Sequence, residues 1–410
     1  MTFCLSSANV LDYLIAHQLV EGNGATARPP KVRSIRAKTC KNFNLAIELK
    51  NGQAFLLKQE RLGGTHSPVQ GQPLASSTTC DFWKEWRVQQ FLEHFSGDAD
   101  IGSLRSLTSH LLHFDPQNRI LVGTFFKQSC DLAEFYRSQI SDKQADSEQA
   151  DAEQPELPTA IAHNVGETIA QFHQATEHHS THEALLSQLG NGQAHHYQPR
   201  FLSRMHQLGP GIFGLFCEES LEFFQQYQSD RQLQAQIQQV QRQWTPSCLI
   251  HRDLRLRNIL VSGDCKQTRI IDWEKYVWGD PTYDLGFLLA DYLRLSLEQA
   301  VPYIDLDWVT ALELSALPIS ALQPSLQALW EGYGLIRPQV LQDQDFQLRV
   351  FRYVGVALLQ KIETHLEYQL PFGNADRAAM AIAKGLLSQT AQFAQQYLGL
   401  SVDHALSLSL

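Results

Sequence analysis

Apolar and polar positions alternate over short runs in the first third of the chain. Residues 41–49, KNFNLAIEL, and 54–58, AFLLK, read as two strands. Asn51-Gly52 between them is a hairpin signal, because both residues tolerate the positive φ of a tight turn. Residues 31–60 thus predict a strand pair whose second strand ends on Lys58. The next stretch, 59–80, is rich in Gly, Pro, Ser and Thr and predicts a loop. From 81 the pattern changes to helical spacing, with Phe82, Trp86, Gln89 and Leu92 in phase, Asp81 as N-cap and Glu85 inside the helix. HLLHF and RILVGTFF then predict two further strands around a turn at Asp115 to Asn118. The chain starts with MTFCLSSANVLDYLIAHQLV, an amphipathic helix capped near Ser7 or Asn9; Asp12 interrupts its apolar run and no basic leader precedes it, so it does not read as a signal peptide.

Beyond residue 137 the pattern breaks. Residues 137–158, RSQISDKQADSEQADAEQPELP, carry almost no large apolar side chains and predict a flexible acidic insertion. The remainder of the chain is mostly helical. Residues 159–174 carry Ile161, Val165, Ile169 and Phe172 on one stripe, and 216–243 and 375–398 are amphipathic. The organisation expected is an N-terminal sheet lobe over 1–120 and a helical lobe over 121–410.

Composition narrows the function classes. The 410 residues are 43% hydrophobic and 19% charged, an ordinary globular balance. Lys plus Arg number 33 against 43 Asp plus Glu, a net charge of -10, which argues against a general nucleic-acid binder. No run reaches the roughly 18 apolar residues of a spanning helix. Seven scattered cysteines, none spaced C-x-x-C, fit neither a disulfide framework nor a structural zinc site, so a cytoplasmic protein is expected.

One segment differs in kind. Residues 249–286, LIHRDLRLRNILVSGDCKQTRIIDWEKYVWGDPTYDLG, hold short apolar runs that end on acidic or amide side chains. Asn258 leads into ILV, Ser262-Gly263-Asp264 makes a turn, and Arg269 to Ile271 form a strand ending on Asp272. Such a hairpin sets Asn258 and Asp272 at one end of its ladder, with Asp253 on the loop before it. Two oxygen ligands and a nearby carboxylate suit phosphoryl transfer, because Mg²⁺ takes hard oxygens and keeps several sites for water or phosphate.

His251-Arg252-Asp253 with Asn258 resembles the H-x-D-x-x-x-x-N loop of the protein-kinase-like superfamily. I-I-D-W-E followed by G-D-P-T-Y-D-L is similar to the aminoglycoside phosphotransferase and choline kinase-like branch, over roughly residues 35–300. The resemblance implies an α+β, two-lobed kinase-like fold with a small antiparallel sheet lobe and a large helical lobe. It implies an ATP- and Mg²⁺-dependent kinase with an alcohol group as acceptor. Asp253 would be the catalytic base, and Asn258 and Asp272 would hold Mg²⁺, with Glu274 a further contact. Lys58 would touch the α- and β-phosphates, Glu85 would hold Lys58, and 121–125, LVGTF, would receive the adenine. Asp284 would accept hydrogen bonds from the loop backbone.

The sequence departs from the pattern in places. RAKTCKNFNLAIEL has no glycine, which leaves Lys38, Thr39 and Lys41 as the candidates for covering the phosphates. Arg255 and Arg257 lie unusually close to Asp253; they either steady a phosphate or acidic substrate group, or pair with acidic neighbours such as Asp280 or Asp284. His178, His179 and His182 cluster, but a surface loop is the simpler reading than a metal pair, and Trp273 and Trp278 are simpler as packing than as substrate stacking. The expected acceptor is a small hydroxyl-bearing molecule, aminoglycoside-, choline- or sugar-like. The alternatives are a kinase of peptide Ser or Thr in lanthipeptide-like maturation with a partner lyase, and a nucleotide-binding adaptor or pseudokinase.

Overall fold

The computed structural model describes residues 3–20, 30–39, 42–60, 81–146, 157–189, 199, 201, 220–303, 306–368 and 370–402. Most of the expected 59–80 loop, Lys41, the side chains of Lys38 and Thr39, and residues 147–156 of the expected insertion lie outside this set. The chain is a mixed α and β protein of two compact units: residues 1–129 with 269–276, and residues 130–268 with 277–410.

The first unit is a five-stranded antiparallel sheet in the order β1-β2-β3-β5-β4. Its strands are β1 (Val32–Thr39), β2 (Phe43–Leu49), β3 (Ala54–Gln59), β4 (Leu111–Asp115) and β5 (Ile120–Thr124). Gly52 sits at φ +95 in the β2–β3 turn, as Asn-Gly predicted. Period-two alternation sends Leu45, Ile47, Phe55, Leu57, Ile120 and Val122 to one face, where α1 (Val10–Ala16) covers them with Val10, Tyr13 and Leu14. Leu111, Phe114 and Leu121 belong to a separate cluster with Phe82, Trp83 and Trp86 of α2 (Asp81–His94). Lys58 has the opposite parity to Leu57 and shares the face of α2, which carries Glu85. A short helix, α3 (Ala99–Leu104), is capped by Asp98, whose side chain accepts from the amides of Asp100 and Ile101.

The strand pair read over residues 31–60 is in fact three strands. β1 escapes the pattern because VRSIRAKT offers only Val32, Ile35 and Ala37 as apolar positions on an edge strand with one neighbour. The LVGTF stretch expected to receive adenine is inner strand through Thr124. β3 and β4 flank β5 and take its backbone groups, and the Phe125 amide donates to the Ala54 carbonyl.

In the second unit the chain enters through β6 (Ser129–Asp131) and runs into α4 (Leu132–Asp146). The break expected at 137 therefore starts with helix: Leu132, Tyr136 and Ile140, spaced four apart, are buried and carry α4 past that point. Then come α5 (Thr159–Thr176), α6 (Ser180–Leu189), α7 (Ser220–Ser229) and α8 (Arg231–Arg242). β7 (Cys248–Ile250), β8 (Ile259–Ser262) and β10 (Val277–Gly279) carry the motif region of this unit, with β7 and β10 paired antiparallel, while β9 (Thr268–Ile270) opens the segment 269–276 that belongs to the first unit. The rest is α9 (Pro281–Leu297), α10 (Trp308–Glu313), α11 (Ile319–Ile336), α12 (Gln344–Glu367), α13 (Asn374–Ser388) and α14 (Thr390–Phe393).

All four residues of the α5 stripe are buried. α5 and α11 cross in backbone contact: a Cβ on Gly166 would stand 2.1 Å from the Leu329 carbonyl oxygen, and one on Gly332 2.1 Å from that of His163. Among the described residues no helix is long and apolar enough to cross a membrane, and Cys4, Cys130, Cys248 and Cys265 are free thiols.

Candidate functional site

The candidate residues fall in two groups, one in each unit. In the first unit, Lys58 Nζ stands 3.1 Å from Glu85 Oε2 and 3.1 Å from Asp272 Oδ1. Strand β3 supplies the lysine, α2 the glutamate, and the returning segment 269–276 the aspartate. Thr108 tethers that segment, its Oγ1 donating to the Ile270 carbonyl at 2.9 Å. At Asp272 the backbone adopts φ 69, ψ 51, a left-handed turn that Asp tolerates better than most residues, and a 3₁₀ turn over Trp273–Lys275 comes next. Glu85 is nearly fully buried and Lys58 17% exposed, whereas Asp272 retains 29% of its side-chain surface. Burial alone would lower the Lys58 ammonium, but the two carboxylates outweigh it and hold it above its ordinary value. Burial pushes the Glu85 carboxyl up against the pull of Lys58. Glu274 is buried nearby and adds to that upward push.

In the second unit, the loop from His251 to Asn258 leads from β7 into β8. Arg252 sits at φ 65, a left-handed turn held by α9. The His251 amide donates to Asp284 Oδ2 at 2.6 Å and the Arg252 amide to Asp284 Oδ1 at 2.8 Å. Asp284 is thus the backbone acceptor that the resemblance implied. Its helix begins at Asp280, whose side chain accepts from the Thr282 amide, with Pro281 in the first turn. The Asp253 amide donates to His251 Nδ1 at 3.2 Å, which assigns the ring proton to Nε2. Asn258 Nδ2 donates to the Asp253 carbonyl at 2.9 Å, leaving the side-chain oxygen as the end suited to a cation.

Arg255 does not pair with Asp280 or Asp284. Its Nη2 stands 3.3 Å from Asp253 Oδ2, on the proposed base itself. Asp280 is occupied by Arg349 at 2.6 Å and Asp284 by the loop amides, so neither is open to it. Arg257 is exposed. His178 is exposed while His182 is buried and stacks on His179 at 4.4 Å. Among the described residues no three His, Cys, Asp or Glu side chains gather as a metal cluster. Trp273 is 2% exposed and donates Nε1–H to the Ile270 carbonyl, and Trp278 is buried in β10, so both are packing residues.

Two anchors escaped the sequence reading. Asp291 Oδ2 accepts from the Leu256 amide at 2.9 Å. Behind Asp284, His173 Nε2 lies 3.6 Å from Oδ2, and its Nδ1 meets the Tyr333 hydroxyl at 3.0 Å, which in turn accepts from Arg337. The available signal for Asp291 was its place seven residues after Asp284, on the same helix face.

In the first unit a strand lysine bridges two carboxylates, and in the second a loop is stapled by a helix carboxylate. Residues 138–308 match the family model described as "Phosphotransferase enzyme family" (APH). No curated protein matches the chain. Among solved structures it is similar to a choline kinase of Cryptosporidium parvum, at 10% identity, 96% of this chain, 100% of that one and a TM-score of 0.47. An ethanolamine kinase of Plasmodium vivax is similar at 13% identity, 87% and 83% coverage and a TM-score of 0.46. The macrolide 2'-phosphotransferase of Brachybacterium faecium is similar at 13% identity, 92% and 97% coverage and a TM-score of 0.40.

Proposed function

We propose that the protein transfers the γ-phosphoryl group of ATP, as its Mg²⁺ complex, to a hydroxyl of a small molecule, and that it does so in the cytosol. The observation that carries this reading is the Lys58 ammonium held between a buried helix carboxylate and the aspartate of I-I-D-W-E. A charged lysine pinned at both flanks is a fixed cation for phosphate oxygens. Asp253 orients the acceptor hydroxyl and takes its proton; 20% of its side chain is exposed, enough to meet a substrate oxygen. Asn258 and Asp272 are the residues that would hold Mg²⁺. Both offer hard oxygen donors, the chemistry that ion prefers. When bound, Mg²⁺ neutralises charge on the phosphates. Most of the rate enhancement then comes from positioning and charge.

The test is calorimetric binding of ATP with and without Mg²⁺, for wild type and Asp272→Ala. The reading expects wild-type binding to need Mg²⁺ and the variant to lose that dependence. Unchanged Mg²⁺ dependence in the variant would remove Asp272 from the site.

A further inference from the structure

Helix α9 turns two carboxylates toward the same loop. Asp284 and Asp291 are seven residues apart, two turns and about 10 Å along the axis. The first takes the amides of His251 and Arg252, where the loop starts. The second takes the amide of Leu256, the first residue of the 3₁₀ turn 256–258 in which Asn258 is the last. Asp253 lies between the two staples, and Asn258 is tied back to its carbonyl. The second oxygen of Asp291 accepts from Lys361 of α12, and both side chains are less than one-fifth exposed. Burial would push the Asp291 carboxyl up, but Lys361 and the Leu256 amide outweigh it and keep it below the ordinary carboxylate range.

We infer that Asp291, oriented by Lys361, is a positioning residue that sets the turn presenting the Asn258 side-chain oxygen to the cation. Its action runs through the hydrogen bond to the Leu256 amide. The inference rests on the phosphotransferase reading for its consequence, but its geometry stands apart from it. A purely structural ion pair between α9 and α12 would have a different signature, because replacing the pair by uncharged residues would then erase its whole effect.

Two double variants separate these cases. Asp291→Asn with Lys361→Met removes both charges and keeps an acceptor for Leu256. Asp291→Leu with Lys361→Met removes both charges and the acceptor. Relative to the first, the second should raise the Mg²⁺ concentration that half-saturates AMP-PNP binding by about tenfold, the factor one hydrogen bond carries. It should also speed hydrogen exchange of the Leu256 amide by at least a similar factor. Equal Mg²⁺ midpoints and equal Leu256 exchange in the two variants would overturn the inference. Should the Leu variant fail to fold, exchange in the wild type decides: Leu256 must exchange far more slowly than Arg257, and equal rates would refute the staple. If wild-type AMP-PNP binding shows no Mg²⁺ dependence, the phosphotransferase reading fails instead, and Leu256 exchange still judges the staple.

Discussion

Replacing Lys58 with methionine leaves the Glu85 carboxylate buried without its cation. At 3.1 Å and an effective dielectric constant of about 20, the lost attraction is about 5 kcal/mol. Glu85 recovers part of this by taking a proton, so the net loss of folding stability should be about 3–5 kcal/mol. Glu85→Leu is milder: Lys58 keeps Asp272 at 3.1 Å, and that carboxylate is 29% exposed, so the loss should be about 1–2 kcal/mol. The double variant, with neither buried charge, should lose less than Lys58→Met alone. Equilibrium urea unfolding of the four proteins without nucleotide gives the cycle, and a coupling of about 2–4 kcal/mol is expected. A Lys58→Met loss below about 1 kcal/mol with additive double-variant behaviour would show that the buried pair does not form, and the nucleotide role built on it would fall too.

Two further outcomes test the second unit. Gly332→Ala puts a Cβ 2.1 Å from the His163 carbonyl, so α5 and α11 must part; a loss of at least about 3 kcal/mol in urea unfolding is expected, and a neutral substitution would contradict the close crossing. Burial holds the His173 imidazole below its ordinary value against the pull of Asp284, so the unfolded chain binds that proton more readily. Stability should therefore decline as pH falls below about 6.5, and His173→Gln should lose less than wild type between pH 7 and 5.5; equal losses would refute it.

Much of this was legible in the residues, for identifiable reasons. The β2–β3 hairpin came from Asn51-Gly52, the α2 helix from its spacing, and the buried stripe of α5 from Ile161, Val165, Ile169 and Phe172. Asp284 as a backbone acceptor was implied by G-D-P-T-Y-D-L, and the structure has it taking two amides. β1 was hidden because an edge strand needs few apolar residues, and α4 because its anchoring residues precede a stretch that reads as insertion. The partner of Arg255 was beyond reach. Several carboxylates lie near it in sequence, and which one it meets depends on Asp280 and Asp284 already being occupied by Arg349 and the loop amides. Asp291 was missed because its partner is a backbone amide 35 residues away, and the signal it leaves in the sequence is confined to its place seven residues after Asp284.

The central claim is that Asp253 accepts the proton of an alcohol as it attacks ATP. The direct measurement is phosphate transfer from Mg-ATP to a panel of hydroxyl compounds, including amino alcohols, sugars, aminoglycosides and Ser- or Thr-containing peptides, by wild type and Asp253→Asn. Wild type should phosphorylate a member of the panel. The variant should be slower by at least about 100-fold while binding AMP-PNP as tightly. A variant that transfers phosphate as fast as wild type would contradict the account.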